Sequence, residues 1–272
     1  MKTNIFKCLA AFLVLSTAIL TGCSKDDNDS GGPKLDLVFT ALTSSGQLQS
    51  MNANDLSKAQ STRNITGLQT GEMIIAIDYR PATGQLYGLG SSSRIYTIGM
   101  DGKATAVGIG PFTPALSGTV AGFDFNPTVD RIRIVTPSGQ NLRLNPETGA
   151  VQVVDGTING VSGAAISSVA YTNSMAGATS TVLFDIDATA NKLYRQDPPN
   201  DGKIVEVGNL GFADKGTNSF FDISSGGVAL AAVNSGSSSV LYQINLENGS
   251  SIRLGKFPGS IMGLAIPIAM VK

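Results

Sequence analysis

Histidine and tryptophan are absent from this chain, and cysteine occurs only as Cys8 and Cys23. Without histidine there is no Ser-His-Asp or Cys-His catalysis, no His-ligated zinc and no side chain that ordinarily titrates near neutral pH. Both cysteines lie close to the N-terminus, so the rest of the chain has no disulfide, thiol nucleophile or Cys metal site. Charged residues make up only 14% and the formal net charge is −1. No Lys/Arg cluster is present, which argues against nucleic acid as a partner. The low aromatic content of 6% weakens a sugar-stacking role. There is no G-x-S-x-G, S-x-x-K or Walker loop, and no G-x-G-x-x-G after a strand. No catalytic residue is assigned from sequence, and the balance leans against an enzyme.

What is present begins with a targeting segment. Lys2 and Lys7 precede an apolar run over 9–20 that is too short to span a bilayer as a mature helix. The run ends in Leu20-Thr21-Gly22-Cys23, which resembles the lipobox of bacterial lipoprotein precursors. Residues 1–22 are therefore expected to be a signal peptide, and Cys23 the lipidated residue of the processed protein. Two or more acyl chains anchor stably, because each buried methylene contributes about 0.8 kcal/mol. Residues 23–34 read as the lipidated Cys and a flexible tether, since S-K-D-D-N-D-S-G-G-P has no apolar residue with which to order itself. Its three aspartates also resemble the surface-export signal of some bacterial lipoproteins. The expected location is the cell envelope, anchored by lipid to the outer membrane, with surface exposure as the further possibility.

From residue 35 onward the chain is rich in Gly, Ser, Thr, Val and Ile and has little helical periodicity, which predicts many short strands. A four-strand unit recurs. Its first strands are read at 74–81, 120–127, 168–172 and 220–223, and its third strands at 94–98, 141–145, 192–194 and 240–244. Aligning the third strands places Tyr96, Leu142, Tyr194 and Tyr242 in one slot, roughly 46 to 52 residues apart. Four strands at that period with no helix between them is the pattern of propeller blades, with a sandwich as the alternative. The N-terminal stretch supplies strands at 35–42, 47–51 and 64–68 but no first strand, and 260–266 supplies one. The expectation is an all-β propeller over 35–272 with five four-stranded blades, closed by pairing the C-terminal strand with the N-terminal blade. Six blades remain open if the connections 156–166 or 208–219 conceal strands.

The strings A-I-D-Y-R-P-A-T-G-Q-L-Y-G-L-G, G-F-D-F-N-P-T-V-D-R-I-R-I-V and Q-N-L-R-L-N-P-E-T-G-A-V resemble a bacterial family of secreted or lipid-anchored proteins, a domain of unknown function with propeller-like repeats. The resemblance runs from about Gly71 to Ile266 and implies the fold. It brings no established activity and no catalytic residue.

Three constellations could carry chemistry. Aligned first strands put Asp78, Asp124 and Asp222 in one slot, with Ala170 and Ala265 in the other two blades. Carboxylates around a central channel could hold a hard cation such as Ca²⁺, although no cofactor is required. The plainer reading is that each Asp accepts backbone N–H bonds within its own blade. Arg131 and Arg133 share a strand face with Arg143 across from them, a group that could recognise a carboxylate or phosphate. Ion pairs involving these residues and Arg80 or Asp130, with Asp124 or Glu147 as partners, are the structural alternative. Asp185, Asp187 and Asn191 mimic the opening of a calcium loop but lack its Gly and bidentate Glu, so a polar turn is expected. The leading functional reading is a non-catalytic propeller that binds a protein or small molecule at the envelope. The alternative is a metal-dependent, lactonase-like hydrolase using the channel carboxylates.

Overall fold

The computed structural model describes residues 34–214 and 216–268. The expected signal peptide 1–22, Cys23 and the tether up to residue 33 lie outside the described residues. Those that are described form twenty strands in five antiparallel four-stranded sheets. Blade 1 joins β20 (Ile261–Ala265) to β1 (Val38–Thr43), β2 (Gln47–Asn52) and β3 (Ser61–Asn64), in that order from the inside out. Blade 2 comprises β4 (Ile74–Tyr79), β5 (Leu86–Gly90), β6 (Arg94–Ile98) and β7 (Ala104–Val107). Blade 3 comprises β8 (Gly122–Asn126), β9 (Arg131–Val135), β10 (Asn141–Leu144) and β11 (Val151–Val154). Blade 4 comprises β12 (Ser168–Tyr171), β13 (Leu183–Asp187), β14 (Lys192–Gln196) and β15 (Ile204–Asn209). Blade 5 comprises β16 (Ser219–Ile223), β17 (Ala229–Ser235), β18 (Ser238–Ile244) and β19 (Ser251–Lys256). The fold is a five-bladed β-propeller. Its inner strands touch in the cyclic order β4, β8, β12, β16, β20 and back to β4.

A turn motif repeated along the chain explains much of the strand spacing. In Asn145-Pro146-Glu147-Thr148-Gly149 the Asn145 carboxamide oxygen accepts the Glu147 N–H, and the Gly149 N–H donates to the Asn145 carbonyl. The same pair of bonds forms in residues 245–249 and 126–130. This is an Asx turn inside a one-turn loop, and its last residue must take a left-handed backbone. Glycine fills that place at Gly149 and Gly249, and Asp130 does so at φ 52°. Asp187 to Asn191 is a variant of it: the Asp187 carboxylate accepts the Ala190 N–H and Asn191 has φ 58°. The resemblance to a calcium loop thus resolves into a polar turn.

Inner and middle strands are buried on both faces and outer strands are largely exposed, as the all-exposed β3 illustrates. Five apolar clusters fill the five junctions between blades. Phe123, Phe125, Leu89 and Ile132 lie between blades 2 and 3. Ile186, Leu193, Phe221 and Tyr242 lie between blades 4 and 5. Blade 1 is bound on both sides, by Phe39, Met51 and Leu264 against blade 5, and by Leu42, Leu48 and Ala265 against blade 2. The cluster between blades 3 and 4 is built from Val135, Ile166, Val169, Tyr171 and Leu183, and a polar network adjoins it.

Two expectations change. The outermost, fourth strand of blade 1 is Ser61–Asn64, not 64–68, and it pairs with Gln47–Ser50. Its polar residues suit an exposed edge, whereas Ile65 and Leu68 leave the sheet to pack into the junction with blade 2. Among the described residues, the connections 156–166 and 208–219 conceal no extra blade: beyond the end of β15 and the start of β16 they form only an isolated bridge, Asn159 to Lys203.

Candidate functional site

Each inner strand places one residue of the repeated slot at the propeller axis, and three of the five are aspartates. Asp78, Asp124 and Asp222 are all buried, with carboxylate oxygens within 4.8 Å of one another. Among the described residues they form the acidic group close enough to hold a metal ion. Oxygen ligands suit a hard cation such as Ca²⁺.

These carboxylates also join neighbouring blades. Asp78 accepts the N–H of Tyr79 beside it at 2.7 Å and, with its other oxygen, the N–H of Phe125 in blade 3 at 2.9 Å. Asp222 does the same with Ile223 at 2.6 Å and with Ile266 next to blade 1 at 2.5 Å. Asp124 accepts the N–H of Tyr171 in blade 4 at 3.3 Å. The bonds therefore run beyond the blade that carries the Asp, to the residue after the slot in the next inner strand. The two junctions that begin at Ala170 and Ala265 use hydroxyl groups instead. Ser168 and Ser219 meet at 2.7 Å between blades 4 and 5, and Thr40 meets the Tyr79 hydroxyl at 2.9 Å between blades 1 and 2.

Burial pushes the Asp78 carboxyl well above the usual carboxylate range, and the nearby Asp222 charge adds to the effect. Burial does the same to Asp124, reinforced by Asp78 and Asp222. Asp222 is pushed up to about 7 by burial, against the opposing effect of the N–H bonds from Ile266 and Ile223. The group favours protons or a cation over three free negative charges.

The opposite end of the axis opens in a small cleft of about 250 Å³ that includes open solvent. Its walls include Ala76, Gly122, Ser168, Phe220 and Gly263, the residues two before the slot in each inner strand. Glycine at 122 is demanded by proximity, since a Cβ there would stand 2.7 Å from the Val169 backbone nitrogen. The Ser168 and Ser219 hydroxyls are the buried polar groups of this wall.

The arginine group is brought together in part. Arg133 lies opposite Arg143 in the β9–β10 register, and both donate to Asp155, at 2.6 and 2.7 Å. Arg133 is 1% exposed and also donates to Tyr171, Asn141 and Asn200. Arg131 points along the same face but pairs at the surface with Gln152. Arg80 bridges to blade 3 through Asp130 and Glu147, both at 2.5 Å. Asp155 engages both Arg133 and Arg143, whereas Arg131 donates to the uncharged Gln152.

Several residues of the site escaped sequence reading. Asp155 follows the last strand of blade 3, and Tyr171 and Asn200 reach Arg133 from blade 4. Asp185 shares a strand face with Gln196, its diagonal neighbour, and both of its oxygens and the Gln196 carboxamide oxygen lack a partner among the described residues. Burial pushes the Asp185 carboxyl well above its ordinary range, and Arg133 opposes that. The Tyr slot has a legible role: Tyr96 donates to Glu72 at 2.5 Å and Tyr242 to Asp214 at 2.6 Å, each tying down the connection ahead of its own blade.

No curated protein matches the sequence. Among solved structures the chain is similar to one in a nidogen/laminin complex, with 12% identity over 86% of this chain and 99% of that one, at a TM-score of 0.47. It is also similar to TolB from Acinetobacter baumannii, with 11% identity over 88% of this chain and 69% of that one, at a TM-score of 0.46. A structure of YCF48 bound to D1 peptide matches with 9% identity over 80% of this chain, which spans 64% of that one, at a TM-score of 0.39. A family model matches residues 47–265, and the chain belongs to that family, the domain of unknown function DUF4394.

Proposed function

We propose that this protein is a cell-envelope lipoprotein, held at the outer membrane through lipidated Cys23, whose propeller binds a protein or small-molecule partner without catalysing a reaction. The observation that carries the non-catalytic part is the use made of the axial carboxylates. Asp78, Asp124 and Asp222 are buried and accept backbone N–H bonds from the next inner strand, so their acceptor capacity serves the ring. The binding face we favour surrounds the axial cleft. The long connections ending before β8, β12 and β16 arrive there, and loops on a rigid scaffold are where binding residues concentrate. The lipobox residues Leu20 to Cys23 and the polar stretch after them support the anchoring.

One observation favours the second reading, a metal-dependent lactonase-like hydrolase: three carboxylates with oxygens within 4.8 Å could ligate a cation that activates water. The two readings separate in a turnover assay. Purified protein is incubated with a panel of lactones and carboxylic esters, with calcium or zinc added. The binding reading expects no turnover above that of Asp222→Asn. Calcium- or zinc-dependent hydrolysis lost in Asp78→Asn, Asp124→Asn and Asp222→Asn alike would put the hydrolase first.

A further inference from the structure

The five inner strands all run the same way along the axis. In every one of them the residue two before the slot lines the cleft, so each strand starts at the cleft and ends at the opposite face. The turns that follow, 80–85, 127–130, 172–182 and 224–228, therefore lie together on that opposite face. The beginning of β1 lies there too, because β1 runs antiparallel to β20, with Thr40 level with Ala265 and Thr43 with Ile261. At that end the Leu37 carbonyl accepts the Ala53 N–H, and the Asp36 carboxylate accepts from the Asn52 carboxamide. The chain coming from Cys23 thus enters the propeller on the turn face, at the strand second from the axis.

The chemistry of the turn face suits a lipid surface. Its four inner turns carry only two charged side chains, Arg80 and Asp130, and these pair with each other at 2.5 Å. Val129, Met175 and Val182 expose large apolar side chains on these turns, and Val38 does so at the start of β1. Single exposed apolar residues are ordinary on a protein surface. What distinguishes these is that they stand on the face from which the chain leaves towards Cys23. Met73 and Ile109 are also exposed, but they lie on the connections at the cleft face.

Covalent reach then separates the two faces. The eleven residues 24–34 span at most about 40 Å when fully extended. Turning the cleft face to a membrane would make them cross the two outer strands of blade 1, about 10 Å, and climb the length of β1, about 20 Å. That takes about 30 Å before any loop or side chain is passed, and leaves a nearly straight chain with little conformational freedom. With the turn face towards the membrane, the same residues make no detour. We propose, resting on the lipoprotein reading given above, that the propeller lies with its turn face against the lipid surface. Val129, Met175 and Val182 then meet the headgroup boundary, and the axial cleft is directed away from the membrane.

The test uses variants of the full chain, lipidated in the cell and reconstituted into phosphatidylethanolamine–phosphatidylglycerol vesicles that contain a lipid with a nitroxide on its headgroup. An acylated Cys23 sulfur does not react with maleimide, and Cys8 falls within the segment expected to be removed. Val129→Cys, Val182→Cys and Ile109→Cys therefore each take a single fluorophore. Quenching by the nitroxide lipid is expected to be at least about twofold stronger at positions 129 and 182 than at 109, since surfaces seated on a membrane bury their apolar side by about 5–10 Å. Met175→Cys and Met73→Cys repeat the comparison should one of those variants not fold. Equal quenching on the two faces, or stronger quenching at 109, in protein that floats with the vesicles would overturn the orientation and leave the lipoprotein reading standing. Wild type that carries no lipid and does not float would remove the lipoprotein reading, and the orientation with it.

Discussion

At the scale of single residues, burial and partner number decide which charges matter. Arg133 and Arg131 are two positions apart on one strand face, and sequence alternation reveals that much. It does not reveal that Arg133 is enclosed with Asp155, because the enclosing residues Tyr171 and Asn200 come from a different blade, 38 and 67 residues away. Removing one partner of a buried pair leaves the other charge uncompensated. Arg133→Ala is therefore expected to cost about 3–5 kcal/mol in urea unfolding, and Arg131→Ala no more than about 0.5 kcal/mol. Similar costs for the two would mean that the network around Asp155 is not the anchor described. Asp185 makes the opposite prediction. Its carboxyl is buried without a hydrogen-bond partner among the described residues, so ionising it is unfavourable. Asp185→Asn removes that cost and should stabilise the protein at pH 8 by about 1–3 kcal/mol, with little gain at pH 4, where Asp185 is already protonated. A loss of stability at pH 8 would show that Asp185 has a charged role.

At the scale of elements, inner strands were legible from the repeat, and the turns that separate strands have a local cause. The strings ending N-P-E-T-G and L-E-N-G mark turns because an Asn carboxamide bonds two residues ahead and a left-handed backbone must follow. The edge strand of blade 1 was not legible. Ser61–Asn64 has no apolar alternation, and the adjacent Ile65 and Leu68, which look more like a strand, are drawn into the junction with blade 2. The slot shared by Asp78, Asp124 and Asp222 was visible from repeat alignment, but the direction of its bonds was not, because alignment does not show which backbone N–H of the next blade lies in reach. Inner-strand spacing gives a sharp test. Gly122→Ala would place a Cβ 2.7 Å from the backbone nitrogen of Val169, which has no flexible end to move aside. The expected cost is about 1–3 kcal/mol by chemical denaturation, whereas Gly46→Ala, with nothing within 4 Å of its Cβ, should show only the backbone strain of φ 75°. Equal costs would place the inner strands of blades 3 and 4 further apart than described.

At the scale of the whole molecule, ring closure pairs the C-terminal strand β20 with β1 of the N-terminal blade. Closure was legible because 35–68 lacks a first strand and 260–266 supplies an apolar one, and a propeller leaves no inner position empty. The proposed anchoring rests on Cys23, and Cys23→Ser is expected to abolish lipid labelling and release the protein from membranes into the soluble fraction. A variant still acylated and membrane-bound would remove the lipoprotein part of the proposal. The central structural claim is that β20 is the inner strand of blade 1, paired with β1 and stapled to blade 5 through Asp222 and Ile266. Native-state hydrogen exchange measures this directly, since amides in a shared cooperative unit exchange only when the whole unit opens. The amides of Ala265, paired with β1, and Ile266, bound to Asp222, are expected to be protected to the same degree as those of β4, β8 and β16. Rapid exchange at Ala265 and Ile266, while those strands remain protected, would contradict a closed five-bladed ring.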